Sequence, residues 1–423
     1  MGNREVVERS LAAVWHPCTQ MKQHEQFPLV PIARAHGPWL HDFDGNRYLD
    51  GVSSWWVNLF GHSHEYINAA ITQQVESLEH VMLAGFTHEP VVQLSERLSA
   101  LAPGKLGHAF FASDGASATE IALKMAFHYW SNHGRPGKNR FVALEGGYHG
   151  ETVGALGVTD VAIFRDAYAP LLRAGITAPF ADLEALEALL AQHHGETAAL
   201  IVEPLVQGAA GMRMYDAHYL RRARALCTQY EVLLIADEIM TGFGRTGTMF
   251  AIEQAGVAPD LMCLSKGITG GYLPLSCVLS SDEVYAAFYD DRIARGFLHS
   301  HSYTGNALAC RAACAVLDLF ERDDVIATNA TKSARFTQLA VPLASHPLVS
   351  AFRNRGMIWA FEVPGAGAQF AARAFDLAMR RGVLLRPIGN TVYFMPPYVV
   401  EDAEFALLVD AGLAIVNELG DGQ

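Results

Sequence analysis

The stretch that decides the fold is VLLIADEIMTGFGRTG, residues 232–247, followed closely by DLMCLSKGITGGYLPLS, residues 260–276. In the first stretch a short apolar run ends in two acids, Asp237 and Glu238. An apolar run of this length, bounded by charge, predicts a buried strand. A carboxylate at the carboxyl end of a parallel strand projects into the crevice where open α/β sheets bind ligands. Asp237 is therefore a candidate partner for a protonated ring nitrogen, and Glu238, which points the other way, is expected to be structural.

The second stretch places Lys266 at the end of another apolar strand, directly before a glycine-rich turn. Burying a lysine is costly unless its pKa falls, and a lowered pKa makes the amine available as a nucleophile. Either strand end taken alone also fits an ordinary core position. Asp237 and Lys266 therefore indicate a functional site only in combination with further motifs.

Working outward from these two strands, short apolar segments alternate with helical periodicity from about residue 61 onward. The strands are HAFFAS, RFVALEG, AALIVEP, VLLIADE, LMCLSKG and PLSCVLS, and the clearest helices are ASATEIALKMAFHYWSNHG and AHYLRRARALCTQY. This alternation predicts an α/β fold with a largely parallel sheet. WLHDFDGNRYLDG predicts a hairpin around an Asp-Gly turn. The length of 423 residues favours about two domains: a large domain over 61–320, and a smaller α+β domain built from segments 1–60 and 321–423.

Composition excludes several classes of function. A net charge of −13 and a pI near 5.7 argue against a nucleic-acid partner. The apolar runs are strand-length and the N-terminus lacks a secretory signal, so neither a membrane span nor export is predicted. The six cysteines form no CxxC pair, which favours reduced thiols in the cytoplasm, with Cys227, Cys263 and Cys277 as core residues. His299 and His301 have no evident third ligand, so no metal site is predicted.

Two further turns complete a candidate cofactor site. FFASDGASATEIALKMA reads as a strand, a polar turn and a helix that opens at about Ala116, which suits a phosphate; an ordinary Ser or Asp N-cap explains the turn equally well. ALEGGYHGETVGA places Tyr148 and His149 between glycines, where Tyr148 would stack on a planar cofactor or else lie on the surface. Phosphate cradle, ring stacker, acid and lysine together predict a pyridoxal 5'-phosphate (PLP) site. The GxGxxG and GxSxG patterns of dinucleotide folds and serine hydrolases do not occur at the required places.

The same motifs make the sequence recognisable. LLIADEIMTGFGRTG followed by PDLMCLSKGITGGYLPLS resembles the class III (ω-type) aminotransferases of PLP fold type I, over nearly the whole chain. WHPCTQM, GVSSWWVN, IVEPLVQGAAGMRMY and LLRPIGNTVYFMPPY are similar to the branch that converts 8-amino-7-oxononanoate to 7,8-diaminononanoate in biotin biosynthesis, with S-adenosylmethionine as amino donor. The double tryptophan and the MPPY segment discriminate best. The resemblance implies a PLP-dependent aminotransferase that acts as a homodimer, with active sites at the interface.

The resemblance also implies a role for each cofactor residue. Lys266 would carry the cofactor and then shuttle a proton between the substrate carbon and cofactor C4′. Asp237 would keep the ring nitrogen protonated, and Ile239, on the same face of the strand, would press on the ring. The phosphate would be bound by the backbone amides of Gly115 and Ala116 and by His301 and Ser302 contributed from the second subunit.

For the substrates, the resemblance implies aromatic and cationic contacts. Trp55 and Tyr148 would bind the donor, because an aromatic face attracts a sulfonium cation and stacks on adenine. We expect the GVSSWWVN segment to be extended, so that adjacent side chains face opposite ways and Trp56 only packs. Arg386 would bind the acceptor carboxylate with its guanidinium fork; alternatively it is a surface arginine at a strand end. Arg245 is expected to be mainly structural, with a possible contact to the donor carboxylate.

The sequence departs from the family pattern at three places, two single residues and one loop. Cys18 stands where family members can carry a tyrosine that contacts both substrates, Ala116 where a serine can add a hydroxyl, and Ser300, His301 and Ser302 replace what is often Gly-Pro-Thr. Cys18 and Ser300 stay candidate substrate contacts. Two other donors remain open at this point: lysine with the same acceptor, or the substrates of a broad ω-amino acid:pyruvate aminotransferase. A non-catalytic PLP-binding scaffold would be expected to have lost the lysine or the acid, and both are present.

Overall fold

The computed structural model describes residues 2–420. The chain divides into two compact units, one made of the residues up to Glu65 and from Thr331 onward, the other of Tyr66–Ala330. The domain boundaries predicted from the sequence lie near residues 60 and 320.

The strands and helices are as follows. The strands are β1 (Ile32–His36), β2 (Trp39–Asp42), β3 (Arg47–Asp50), β4 (His108–Ala112), β5 (Arg140–Leu144), β6 (Ile176–Ala178), β7 (Thr197–Val202), β8 (Val206–Gln207), β9 (Arg213–Met214), β10 (Leu233–Asp237), β11 (Leu261–Leu264), β12 (Ser276–Ser280), β13 (Ser350–Arg355), β14 (Ile358–Glu362), β15 (Val383–Leu384) and β16 (Thr391–Phe394). The helices are α1 (Asn3–Ala13), α2 (Ser53–Trp56), α3 (Glu65–Val75), α4 (Glu89–Leu101), α5 (Gly115–Asn132), α6 (Val153–Val158), α7 (Ala162–Arg165), α8 (Leu183–His193), α9 (Ala217–Gln229), α10 (Asp282–Ala286), α11 (Ala307–Arg322), α12 (Val325–Leu339), α13 (Val341–Ala344), α14 (Phe370–Arg380) and α15 (Asp402–Leu419).

The larger unit is built on a seven-stranded sheet of order β4-β12-β11-β10-β7-β5-β6. Strands β11, β10, β7, β5 and β6 are parallel, whereas β12 is antiparallel to both of its neighbours. Every residue of β7 and β10 is buried, as expected for strands covered on both faces. The predicted α/β class and all six predicted strands are confirmed. The short strand β6 was not predicted.

Helix α5 shows why this sheet is covered. Its buried residues recur at helical spacing, including Ala118, Ile121, Ala122 and Met125, and they join the core formed by β10, β11 and β12. At its far end the indole Nε1 of Trp130 donates to the carbonyl of Ala198 at 2.8 Å. The helix therefore presents its N-terminus at the carboxyl edge of the parallel strands.

The smaller unit contains two further sheets. The first has order β1-β2-β3-β15, with the predicted β2–β3 hairpin closed by Asp42, which accepts hydrogen bonds from the backbone N–H of Asp44 and Asn46. The second, β13-β14-β16, is antiparallel. Its core includes the stacked rings of Phe336 and Phe405, whose centroids lie 4.3 Å apart.

The first turns of the chain differ from the prediction. Residues before 60 were expected to form only strands and turns, but Asn3–Ala13 form helix α1. None of its residues is buried, although Val7, Leu11 and Val14 recur at helical spacing, a signal that the prediction of strands and turns passed over. Across residues 2–420, no helix is both long and apolar enough to cross a membrane.

Candidate active site

The candidate catalytic residues of the larger unit follow four neighbouring parallel strands. Strands β11, β10, β7 and β5 lie side by side, so their carboxyl ends meet at one edge of the sheet. Lys266 follows β11, Asp237 ends β10, Glu203 follows β7, and the loop 145–150 follows β5. The topology thus brings together residues that are far apart in sequence.

Asp237 is oriented by a histidine that the sequence analysis quoted without giving it a role. The carboxylate is 3% exposed, and its Oδ2 accepts from Nδ1 of His149 at 2.7 Å. Oδ1 accepts from the backbone N–H of Ile239 at 3.2 Å. Both oxygens therefore have a fixed direction, which a buried acid needs if it is to hold a ring nitrogen.

Lys266 lies at the start of a 3₁₀ turn with φ of 47°, a left-handed conformation that a lysine rarely adopts. Burial lowers the pKa of Lys266 to about 8, against the raising effects of Asp237 and Glu203. Strained backbone and a lowered amine pKa are both typical of residues that do chemistry. Lys266 is therefore the best candidate nucleophile of this unit.

Glu203 holds the loop that carries Tyr148. Its Oε1 accepts from the backbone N–H of Tyr148 at 2.9 Å, and its Oε2 accepts from that of Gly208 at 2.9 Å. Burial raises the pKa of Glu203 to about 7. The Tyr148 hydroxyl donates to Oε1 of Glu151 at 2.8 Å. Tyr148 is thus fixed at its backbone and at its phenolic tip.

The phosphate cradle lies at the N-terminus of α5. Asp114 caps the helix by accepting from the Ser117 N–H at 2.9 Å, so the alternative of an ordinary N-cap holds as well. The next two amides, of Gly115 and Ala116, have no carbonyl partner within a helix. A Cβ on Gly150, whose φ is 121°, would lie 2.6 Å from the Cβ of Ala116. The glycine therefore lets the loop after β5 pack directly on the start of α5.

Ile239 requires a correction. Strand β10 ends at Asp237, so Ile239 lies in the following turn and not on the strand face that the sequence analysis assumed. Its side chain nevertheless faces the cradle, because a Cβ on Gly115 would come within 3.1 Å of two Ile239 carbons. Only glycine fits at position 115 without displacing Ile239.

The loop 299–303 contacts the same cradle within this chain. Nε2 of His301 is hydrogen-bonded to Oγ of Ser113 at 2.7 Å, and Nε2 of His80 to the carbonyl of Ser302 at 2.8 Å. His299 meets Nζ of Lys124 at 2.8 Å, and Ser300 is exposed. Among residues 2–420, no group of three or more His, Cys, Asp or Glu is arranged to hold a metal ion.

In the smaller unit the double tryptophan has an unexpected backbone. The segment expected to be extended is instead a left-handed turn, in which φ is positive for all four residues of Ser53–Trp56. This conformation costs L-residues roughly 1–2 kcal/mol each. Trp55 is 42% exposed and Trp56 is 6% exposed, so one indole is available and the other packs. The difference in exposure arises from a left-handed turn and not from the extended segment that was expected.

The two indoles have different partners. The Trp55 ring lies 4.5 Å from Cζ of Arg386, close enough for a cation–π contact. Nε1 of Trp56 donates to the Tyr393 hydroxyl at 3.0 Å. Arg386 is half-buried beyond the end of β15, and Cys18 is exposed in a turn with φ of 51°. Sequence reasoning did not single out Arg386 as a partner of Trp55.

Two charged residues of the stretch 232–247 are buried. Arg245 is 1% exposed in the larger unit. Glu238 is fully buried, where it accepts hydrogen bonds from the backbone N–H groups of Ala251 and Ile252 at 3.0 and 2.7 Å and from the Thr241 hydroxyl. The expectation that Glu238 is structural is confirmed. Cys227, Cys263 and Cys277 are buried, also as expected.

We expect Glu238→Gln to lower the free energy of unfolding by about 2 kcal/mol, because one amide N–H₂ must face a buried backbone N–H. Burial raises the pKa of Glu238 to about 7. The folded state therefore keeps a proton that the unfolded state loses above its ordinary pKa, and this group stabilises the protein increasingly as pH falls towards 4.5. Urea unfolding at pH 5.5 and pH 8 should show the larger difference between wild type and variant at pH 5.5. If the difference in unfolding free energy between wild type and variant were larger at pH 8 than at pH 5.5, the raised pKa of Glu238 would be contradicted.

These residues fit PLP. The buried Asp237–His149 pair supplies an oriented acid, Lys266 supplies an amine of lowered pKa, and the first amides of α5, which lack helical carbonyl partners, suit a phosphate. His149 and Glu203 were missed as functional residues by the sequence analysis. Their signal was their position directly after parallel strands that end at the same edge.

Comparisons with known proteins agree with this geometry. Residues 19–415 match the family described as aminotransferase class-III. The chain is 45% identical, over 428 aligned residues, to the adenosylmethionine-8-amino-7-oxononanoate aminotransferase of Helicobacter pylori, with 97% of this chain and 98% of that protein covered. The crystal structure of the enzyme of the same name from Methanocaldococcus jannaschii has a TM-score of 0.95 at 35% identity, covering 98% of this chain and 99% of that one. An amine transaminase from an uncultivated Pseudomonas species, in its PLP-bound form, has a TM-score of 0.90 at 33% identity, covering 96% and 99%. With its family match, its relatives and its site in agreement, the chain belongs to the class III aminotransferases.

Proposed function

We propose that this chain transfers an amino group from S-adenosylmethionine to 8-amino-7-oxononanoate, giving 7,8-diaminononanoate, with PLP as its cofactor. The observation that carries the proposal is Lys266, with its lowered pKa, at a strand end beside the Asp237–His149 pair. Relatives similar to this chain almost from end to end are named for this reaction. Site chemistry and similarity therefore support the same activity.

PLP, when bound, supplies an electron-withdrawing ring that stabilises negative charge on the amino-bearing carbon of the substrate. In our proposal Asp237 holds the proton of the ring nitrogen, while His149 keeps the carboxylate in place. The amides of Gly115 and Ala116 hold the phosphate, and Ile239 and Tyr148 pack on the ring. Each of these residues acts by holding and orienting, which is what a protein contributes to such a reaction.

Lys266 has the one role that requires proton movement. An amine accepts a proton only when it is uncharged, and a pKa of about 8 leaves a substantial uncharged fraction near neutral pH. Nζ of Lys266 takes the proton from the amino-bearing carbon of the donor and returns a proton on the way to product. The neighbouring charges of Asp237 and Glu203 favour the protonated amine that this transfer produces.

The substrate contacts that we propose follow from the chemistry of the substrates. The Trp55 and Tyr148 rings offer aromatic faces to a sulfonium or an adenine. Arg386 pairs with the acceptor carboxylate through a planar fork that matches carboxylate geometry. Cys18 and Ser300, both exposed, are the remaining candidate contacts. Lysine would instead favour a carboxylate in the donor pocket.

We further propose a homodimer in the cytoplasm. The larger unit exposes more than half of several large apolar side chains, among them Ile163, Leu171, Tyr289, Ile293, Leu298 and Tyr303. Exposed apolar residues in such numbers support an interface. In that dimer we propose that His301 and Ser302 reach the phosphate bound by the partner subunit, while His301 also stays hydrogen-bonded to Ser113 of its own chain. The six cysteines are free thiols, in keeping with a reducing compartment.

The function is tested with the PLP-loaded protein, to which S-adenosylmethionine, lysine and alanine are added separately without an acceptor. We expect only S-adenosylmethionine to convert the visible cofactor band to that of the pyridoxamine form, and 8-amino-7-oxononanoate to restore it. A response to lysine or alanine in place of S-adenosylmethionine would leave the aminotransferase chemistry intact but overturn the donor. A protein that shows no cofactor band would overturn the enzyme assignment.

A further inference from the structure

The segment that carries Trp55 has a backbone that L-amino acids rarely adopt. The φ angles of Ser53, Ser54, Trp55 and Trp56 are 52°, 46°, 73° and 72°. Left-handed residues normally occur singly, and most are glycine, asparagine or aspartate. None of these four is glycine. Such a run persists only where its surroundings impose it.

Two contacts impose it: the Ser53 hydroxyl donates to the Met395 carbonyl at 2.7 Å, and Asp50 holds Ser54. The Asp50 carboxylate is fully buried, with Oδ1 accepting from the Ser54 backbone N–H at 2.9 Å and Oδ2 accepting from the Ser54 hydroxyl at 2.8 Å. Nε2 of His62 lies 3.0 Å from Oδ2. Both oxygens are therefore committed to the turn, and His62 keeps the carboxylate from rotating away. We call this arrangement of Asp50, Ser54 and His62 the clasp.

The turn in its held form decides where the two indoles point. Trp55 faces the Arg386 guanidinium at 4.5 Å, while Trp56 reaches the Tyr393 hydroxyl at 3.0 Å. An extended backbone would send the two rings to opposite faces, so relaxation of Ser54 would withdraw Trp55 from Arg386. A guanidinium that stacks on an aromatic ring is restricted to the plane of that contact.

We propose that Asp50, oriented by His62, is a positioning residue for the acceptor: it holds the left-handed turn so that Trp55 keeps the Arg386 fork directed towards the substrate carboxylate. The proposal rests on the proposed function, which gives Arg386 its carboxylate. Asp50 acts only through Ser54 and Trp55 and takes no part in the chemistry. Loss of the clasp therefore weakens binding of the acceptor through Arg386, and of the donor that Trp55 is proposed to contact, and leaves turnover at saturation unchanged.

A matched pair of variants isolates the backbone effect. Ser54→Ala and Ser54→Gly both lose the hydroxyl contact with Asp50, but glycine adopts the left-handed conformation at no steric cost and alanine does not. We expect Ser54→Ala to raise the KM for 8-amino-7-oxononanoate about tenfold with kcat within about twofold, and Ser54→Gly to stay within about threefold of wild type in KM. An equal KM in the two variants would overturn the proposal.

Asp50→Asn extends the test by rescue. It should raise the acceptor KM at least as far as Ser54→Ala does, and adding Ser54→Gly to it should bring the KM back towards wild type. A double variant as impaired as Asp50→Asn alone would show that Asp50 acts in some way other than by holding the turn. If Asp50→Asn does not fold, the alanine and glycine pair decides alone.

A second readout separates this proposal from the function on which it rests. In a Trp15→Phe background, which removes the most exposed indole, acrylamide should quench the fluorescence of Ser54→Ala more than that of Ser54→Gly, because Trp55 leaves Arg386. If the wild type does not convert 8-amino-7-oxononanoate, the proposed function fails. The quenching measurement still shows whether Asp50 and Ser54 hold Trp55 in place. Identical quenching of the two variants would overturn the clasp even in an active enzyme.

Discussion

Replacing Lys266 by alanine is expected to lower kcat by about 10⁴-fold, the upper end of what a positioned acid–base group contributes. The expectation is this large because a single amine both attaches the cofactor and moves the proton, and position 266 has no neighbouring lysine to take over. The measurement is steady-state formation of 7,8-diaminononanoate. Lys105→Ala, which removes an exposed lysine outside the site, is the matched control and should leave the rate unchanged.

Chemical rescue distinguishes a lost amine from a damaged fold. A small primary amine such as methylamine, added to Lys266→Ala, should restore part of the activity in proportion to its uncharged concentration, since it can accept the proton that Lys266 normally takes. The restored rate should therefore rise with pH. A variant that retains a tenth or more of wild-type turnover without added amine would refute the assigned role of Lys266.

The second large effect is expected for Asp237→Asn. Asparagine keeps the size of the side chain but loses the negative charge that would hold the ring-nitrogen proton, and His149 would face an amide in place of the carboxylate. We expect kcat to fall by about 10²- to 10³-fold, comparable to the loss of one electrostatic group at a reacting centre. The same variant should bind PLP more weakly, which titration of the cofactor absorbance measures directly.

Asp216→Asn makes the same chemical change at a site without chemistry. Asp216 caps helix α9 by accepting from the Tyr219 N–H at 3.0 Å, and asparagine caps a helix about as well as aspartate. This control should match wild type in both kcat and PLP affinity. A kcat of Asp237→Asn within about threefold of the control would be too small a change for a lost electrostatic partner. That result would show that Asp237 is not the partner of the ring nitrogen.

The parallel strands and the residues at their ends could be predicted from the sequence because both depend on local patterns. The apolar runs before Asp237 and Lys266 each predict a strand. They also predict that the residue which follows lies at the carboxyl end of that strand. Parallel strands share an edge, so the meeting of these residues follows from topology alone. Tyr148 was found by the same logic.

The sequence could not predict contacts that depend on neighbours distant in the chain. Nothing in SSWW itself signals a left-handed turn, because the turn depends on the contact of Ser53 with the distant Met395 carbonyl at 2.7 Å as well as on nearby Asp50. His149 could not be assigned to Asp237 before β5 and β10 were placed in one sheet. Strand β6, with three residues, was too short for a periodic signal.

The close packing of Gly150 on Ala116 limits how this site can evolve. Gly150 lies in the loop after β5 and Ala116 in the first turn of α5, yet a methyl group added at 150 would occupy the space already filled by the methyl group of Ala116. Position 150 is therefore restricted to glycine as long as the loop after β5 keeps its place, because the Cα of Ala116 would lie 2.8 Å from an added Cβ and a φ of 121° strains any L side chain. An engineer who restores a serine at 116, to give the phosphate another hydroxyl, must leave Gly150 untouched and direct the new oxygen away from it.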